Sequence, residues 1–306
     1  MSIAAFLQRE IELGSFPGAS WAVGSSRGID QTGAVGHAVT VPLRIPATTE
    51  TIYDCASLTK VLVTTPRALE LFPLDHLIHG FTVRELLTHT SGLRAWLPLY
   101  AFDDPLRAIL EEGPECERGT RVIYSDLNFI LLWMAMDKFA IEPPLAADKP
   151  RIAATEWGQR WEMKMCAERK IAFDRFRESL IWAETHDGNS YFLGNGCAGN
   201  AGLFATATEV FEMTRSVLAR TPPVRNETAH LNDARALGWQ MGTGSAMTEM
   251  LSPGNFGHTG FTGTSVWIDP QRDKIMVLLT NRVHPCAAPT AMLHIRGEFH
   301  RLALAE

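Results

Sequence analysis

Ala19-Ser-Trp-Ala-Val-Gly-Ser-Ser-Arg-Gly-Ile-Asp-Gln-Thr-Gly-Ala-Val-Gly-His-Ala-Val39 can be read in two ways, and the choice decides the fold. Its centre, Gly24-Ser-Ser-Arg-Gly28, matches the G-x-S-x-G turn that presents a nucleophilic serine between a strand and a helix. Ala19–Val23 is strand-like, as that turn requires, but Ile29–Val39 reads as a second strand and not as a helix. Gly24–Gly28 is therefore expected to close a hairpin, with Ser26 as a turn residue, and the chain to begin an antiparallel sheet.

The same reading extends outward. Ile3, Phe6, Leu7 and Ile11 fall at helical spacing before Gly14. At the other end of the chain, Gly238–Met241, Gly257–Thr259, Thr264–Ile268 and Ile275–Thr280 are short strands with turns between them, and Pro289–Leu304 is a closing helix. The middle is helical: about Ser57–Leu71, a short helix opened by the capping box Thr82-Val-Arg-Glu85, the apolar Leu127–Phe139, and a stretch after Thr208. Residues 152–183 interleave charges with Trp157, Trp161, Met165 and Trp182 and are expected to form a helix pair with one solvated face. The expected class is α+β: an antiparallel sheet flanked by N- and C-terminal helices, with an inserted mainly helical region. Residues 1–56 and 232–306 would make a discontinuous sheet domain and 57–231 the helical region, with the active site at their junction.

Composition sets the outer bounds. The chain has 306 residues, 46% hydrophobic and 20% charged, with a formal net charge of −6. A mildly acidic chain with no basic block offers nothing electrostatic to nucleic acid or an anionic membrane. Its longest apolar run, Phe129–Met136, is far short of the ~20 residues that cross a bilayer. The N-terminus lacks a basic segment and an apolar core of useful length, so a cytoplasmic location is expected. Five cysteines with no C-x-x-C pair read as reduced thiols. Gly194-Asn-Gly-Cys-Ala-Gly199 imitates a dinucleotide loop without the surrounding βαβ unit, and is better read as a pocket wall. His76 and His79 have no third ligand at matching spacing, so no metal or other cofactor is expected.

The chemistry gathers elsewhere. Ser57-Leu-Thr-Lys60 is the only S-x-x-K, set between strand-like Thr51–Tyr53 and an apolar helix. At i and i+3 of a helix its hydroxyl and ammonium share a face, and the helix start supplies free N–H groups to a developing oxyanion. Tyr124-Ser-Asp126 precedes the apolar helix, and a cation beside a tyrosine favours phenolate, which makes Tyr124 a candidate general base. His258-Thr259-Gly260 lies on an edge-like strand and leads to Phe261, where a backbone N–H can face that of Ser57.

These three elements in this order resemble the serine β-lactamase and penicillin-binding-protein superfamily, specifically its class C-like branch, which includes D-alanyl-D-alanine carboxypeptidases and many bacterial esterases. Leu86-Leu-Thr-His-Thr-Ser-Gly92, Thr185-His-Asp187, Ala198-Gly-Asn-Ala-Gly-Leu-Phe204, Phe256–Gly263 and Leu279–Pro285 are similar to family stretches as well. The resemblance implies Ser57 as acylated nucleophile, Lys60 as its electrostatic and proton-transfer partner, Tyr124 as base, and the Ser57 and Phe261 amides as oxyanion hole. It also implies His258, Thr259 and Gly260 as the substrate-binding strand. Asp126 departs from the family's usual Asn: an ionised carboxylate cannot donate to a substrate amide and would pair with Lys60 instead. The segment from Leu69 to Thr82 is shorter than is usual, which implies a trimmed rim. A small ester is thus the expected substrate, ahead of a β-lactam or D-Ala-D-Ala peptide, and a non-catalytic binding member is the third reading. Trp96, Tyr100 and Trp239 are candidates to line the pocket.

Overall fold

The computed structural model describes residues 1–141 and 146–305. Ser2 opens the first helix by accepting from the Ala5 amide, and Ile3, Phe6 and Leu7 share one buried face of α1 (Ile3–Glu12). There follow β1 (Gly18–Ser25), β2 (Gly28–Val39) and the short β3 (Ile45–Pro46). β4 (Tyr53–Asp54) leads to a tight turn at Ser57, a π-helical turn at Lys60–Thr64 and α2 (Thr65–Leu71). β5 (Leu77–Ile78) and β6 (Phe81–Thr82) form a small ribbon before α3 (Val83–Leu87), which opens on the expected Thr82–Glu85 capping box. Next come α4 (Pro105–Glu112), α5 (Asp126–Ala135), α6 (Arg160–Glu168) and α7 (Gly188–Leu193). β7 (Phe204–Ala205) pairs with β4, and α8 (Ala207–Arg220) follows it. β8 (Gln240–Met241), β9 (Phe256–Thr259), β10 (Ser265–Asp269), β11 (Lys274–Thr280) and α9 (Met292–Ala305) end the series.

Both ends of the chain build one seven-stranded sheet, in the order β3-β2-β1-β11-β10-β9-β8, with antiparallel neighbours throughout. The first hairpin is as expected, and Ser26 in its turn donates through its amide and its hydroxyl to Asp273, away from the pocket. Strand alternation sorts the core into two layers. Trp21, Val23, Trp267, Met276 and Leu278 pack under α1 and α9, whereas Ala22, Val266, Ile268, Val277 and Leu279 pack against α8 and Leu58 on the opposite face. A third cluster, centred on α3 and the wholly apolar middle of α5, forms the body that faces this second layer.

The expected helix pair over residues 152–183 is not found; α6 is the one helix of that stretch. Lys170, at a left-handed φ of 56°, ends it, and the returning chain pairs with the outgoing chain instead. Thr155 N donates to Ile181 O, Ile181 N to Glu156 O, and Gln159 N to Arg177 O, so the flanks form an irregular hairpin with α6 as its tip. Among the described residues no helix is long and apolar enough to cross a membrane, and the five cysteines are free thiols.

Candidate active site

Ser57 is placed by the residue before it. Ala56 takes a left-handed φ of 46°, a conformation that costs a non-glycine residue of order ~1 kcal/mol and persists only where neighbours hold it. Here buried Asp54 holds it: one carboxylate oxygen accepts the Ala56 amide at 2.8 Å and the other the His186 amide at 2.7 Å. From the far side Thr262 Oγ1 donates to Asp54 O and Thr264 Oγ1 to Cys55 O, tying the turn after β9 to the serine loop. Gly260 makes that approach possible, since a Cβ there would lie 2.1 Å from Thr264 Oγ1 and 2.7 Å from Cys55 O.

One turn on, Lys60 is fully buried, and its ammonium donates to Ser57 Oγ at 2.9 Å and Asn200 O at 2.9 Å. It also forms an ion pair with the Asp126 carboxylate at 2.7 Å. Burial works against the charge, but Asp126, helped by Tyr124, outweighs it and holds the ammonium above the ordinary lysine range. At Asp126, by contrast, burial dominates, and with nearby Asp187 it keeps that carboxyl above its usual range despite Lys60. The loop read as a pocket wall, residues 194–199, does not line the cavity: Gly199 O receives Thr64 Oγ1 behind it, and Asn200, just past the loop, lines the cavity and offers its carbonyl to Lys60.

Tyr124 and Asp126 stand at the head of α5 because the preceding strap is fixed at several points. Ile123 N donates to His89 O, Ser125 N to His89 Nδ1, Ser125 Oγ to Arg94 O and Asp126 N to Ala95 O. The Tyr124 ring lies 5.2 Å from the Lys60 ammonium and 4.6 Å from the His89 ring. His258, 5.8 Å from the same ring, is driven well below the ordinary histidine range, first by burial and then by Lys60 and Arg235, so it is a neutral imidazole. β9 is not a free edge along its length: β8 covers Phe256 and Gly257, and His258 and Thr259 run past it. The amide N–H groups of Ser57 and Phe261 make no hydrogen bond among the described residues.

Ser57, Tyr124, Asp126, His258, Thr259, Gly260 and Phe261 all border one cavity of about 550 Å³. Trp96 lines it, Tyr100 stands behind it bonded to Glu162, and Trp239 does not reach it, being buried against Phe256 in the core. Sequence reasoning missed several lining residues: Glu162 and Met165 on α6, and Arg282 and Arg296 near the chain's end. Arg282 lay within a quoted stretch, Leu279–Pro285, whereas Arg296 carried no signal, since an arginine on a surface helix reads as solvated. His76 and His79 are exposed and do not line this cavity.

An antiparallel sheet flanked by terminal helices, with a serine–lysine pair at its junction with a helical body, is the architecture of the serine β-lactamases and transpeptidases. Residues 73–297 match the Beta-lactamase family, and the chain belongs to that family of serine hydrolases. A relative from Escherichia coli K12 named as a D-alanyl-D-alanine carboxypeptidase is 27% identical over 80% of this chain and 72% of its own. One from Bacillus subtilis named as an N-acetylmuramyl-L-alanine amidase is 26% identical over 91% of this chain and 80% of its own. A class C β-lactamase structure superposes with a TM-score of 0.64 at 14% identity, covering 98% of this chain and 96% of that one, a likeness of fold.

Proposed function

We propose that the protein hydrolyses small carboxylic esters through an acyl-enzyme on Ser57. The observation that carries this reading is the Lys60 ammonium, shared between Ser57 Oγ at 2.9 Å and Asp126 at 2.7 Å at the wall of the cavity. In this mechanism Ser57 Oγ attacks the ester carbonyl carbon while Tyr124 takes its proton. The displaced electron pair moves onto the carbonyl oxygen, which the Ser57 and Phe261 amides receive. Collapse expels the alcohol, which takes the proton from Tyr124, and water repeats the sequence to release the acid and free Ser57. Lys60 stays protonated throughout and stabilises the oxygen as it loses its proton.

The preference for esters rests on Asp126. As the carboxylate partner of Lys60 in this reading, it has no hydrogen to give a substrate amide, and an ester needs none. The second reading, a β-lactamase or D-alanyl-D-alanine carboxypeptidase, is favoured by the name of the E. coli relative. A fluorophosphonate should label Ser57 alone, by peptide mapping, and intact-mass measurement should catch an acylated protein with a short-chain aryl ester. Label on Ser26, or acylation by a cephalosporin but by no ester, would overturn the proposal.

A further inference from the structure

The cavity lining carries two guanidiniums, Arg282 and Arg296, that the proposed chemistry has not used. Arg296, on α9, is buried, and Arg282 follows β11; among the described residues no carboxylate pairs with either. Arg296 Nε is buried without a partner, and burial, aggravated by Arg282, pushes its guanidinium down to about 9. A buried cation beside a second cation destabilises a fold, so its presence calls for a compensating role. Apart from a 3.3 Å contact from Arg282 Nη1 to Ala288 O, what the two arginines touch is the main chain of one turn. Arg296 Nη2 donates to Thr264 O at 3.0 Å and, more weakly, to Gly260 O at 3.4 Å. Arg282 Nε donates to Phe261 O at 2.7 Å, and its guanidinium lies 4.7 Å from the Phe261 ring.

We propose that Arg296, seconded by Arg282, is a positioning residue that aims the Phe261 amide N–H at the oxygen of the reacting carbonyl. The proposal rests on the acyl-enzyme reading above. The Gly260–Phe261 peptide is planar and trans, so its C=O and N–H point in opposite directions. Drawing Gly260 O toward Arg296 turns the Phe261 N–H the other way, and this N–H has no partner among the described residues. Arg282 fixes the next carbonyl, so both peptide planes flanking Phe261 are held. A cation on the carbonyl end also polarises the peptide and strengthens its N–H as a donor. Both arginines contribute positive potential to the cavity where negative charge develops.

The test is Arg296→Met and Arg296→Lys, with kcat and KM measured on a neutral aryl ester and on the same ester bearing a carboxylate in its acyl chain, and with thermal melting alongside. Arg296→Met should lower kcat about 10- to 100-fold on both esters with KM within about twofold, at an unchanged or higher Tm, and Arg296→Lys should recover part of the loss. Three results would overturn it: full kcat in Arg296→Met; a loss confined to KM for the carboxylate-bearing ester, which would make the arginines a substrate anchor; or a fall in kcat with an equally lowered Tm in both variants. If the wild-type protein forms no acyl-Ser57, the underlying reading fails first, and that is seen before any arginine is changed.

Discussion

Lys60 and Arg296 are both buried cations at one cavity, yet Lys60 meets a carboxylate at 2.7 Å and Arg296 meets only carbonyl oxygens. Burial opposes charge at both. At Lys60 Asp126, helped by Tyr124, wins and the ammonium is held above its ordinary range; at Arg296 nothing opposes burial and the guanidinium falls to about 9. The contrast separates two ways of keeping charge in a protein interior. A matched pair is costly to break, because removing one partner strands the other; an unmatched cation is costly to keep, because an apolar side chain in its place would cost less.

The largest effect should come from the group Lys60 serves. Ser57→Ala removes the nucleophile and should lower kcat by roughly four to six orders of magnitude with no loss of stability, since members of such a unit fail together. Steady-state rates on an aryl ester and a melting curve check both halves. A variant retaining a tenth of the activity would move the nucleophile elsewhere.

Breaking the matched pair comes next. Lys60→Met should cost most of the activity and also stability, toward the low end of the ~3–5 kcal/mol seen for a stranded buried charge, because Asp126 keeps 20% of its side chain exposed. Tyr124→Phe should lose comparable activity with little change in Tm, its ring contacts being preserved. Adding Asp126→Leu to Lys60→Met should restore stability without activity. Urea unfolding of the three variants decides it: if Lys60→Met melts like wild type while Arg296→Met collapses, the contrast between the two cations is reversed.

The two sides also differ in how they meet acid. His300, on α9 beside the arginine wall, is pushed down to about 4 by burial, while its Nδ1 stays bonded to Met247 O. His89 and His258, on the lysine side, are lowered as well, by burial first and then by nearby cations, among them Arg235 and Lys60. A folded pKa below the unfolded value of about 6.5 means that the unfolded chain binds more protons between the two. Stability is therefore complete above about pH 6.5 and is lost as pH falls toward 4, His300 alone accounting for about 3 kcal/mol across that window. His300→Asn, which can keep a donor to Met247 O, should flatten the slope between pH 7 and 5. An equal slope in both proteins would show that His300 does not carry it.

Much of this was legible beforehand, for a physical reason. The nearly unbroken apolar runs of Ala19–Val23 and Ile275–Leu279 are what a sheet buried on both faces imposes, and Gly24–Gly28 can close a hairpin only if a strand follows, so local pattern and global fold agree. Ser57, Lys60 and Tyr124 stood out through spacing and through family likeness. What stayed hidden was set by contacts across the chain. Residues 152–183 carry helical spacing, but main-chain pairing between Thr155–Gln159 and Arg177–Ile181 overrode it. Trp239 belongs to the core although its neighbour Gln240 lines the cavity: it stands just before β8 and packs edge-on against Phe256. Arg296 acts on a turn 32–36 residues away, a distance no periodicity reports.

The smallest expected effect is the most informative about substrate. Asp126→Asn keeps size and position but exchanges the Lys60 counter-charge for an amide that can donate. Two consequences oppose each other. Lys60 loses its strongest anion, so all turnover should fall somewhat. A substrate amide carbonyl gains the donor that the carboxylate denied it, worth up to ~1–3 kcal/mol for one satisfied buried polar group, or about 5- to 150-fold. The ratio of kcat/KM for a cephalosporin to that for a short-chain aryl ester cancels the first consequence and isolates the second. That ratio should rise in Asp126→Asn. If it stays put, Asp126 does not touch the substrate, its only role is to hold Lys60, and the preference for esters loses the residue it stands on.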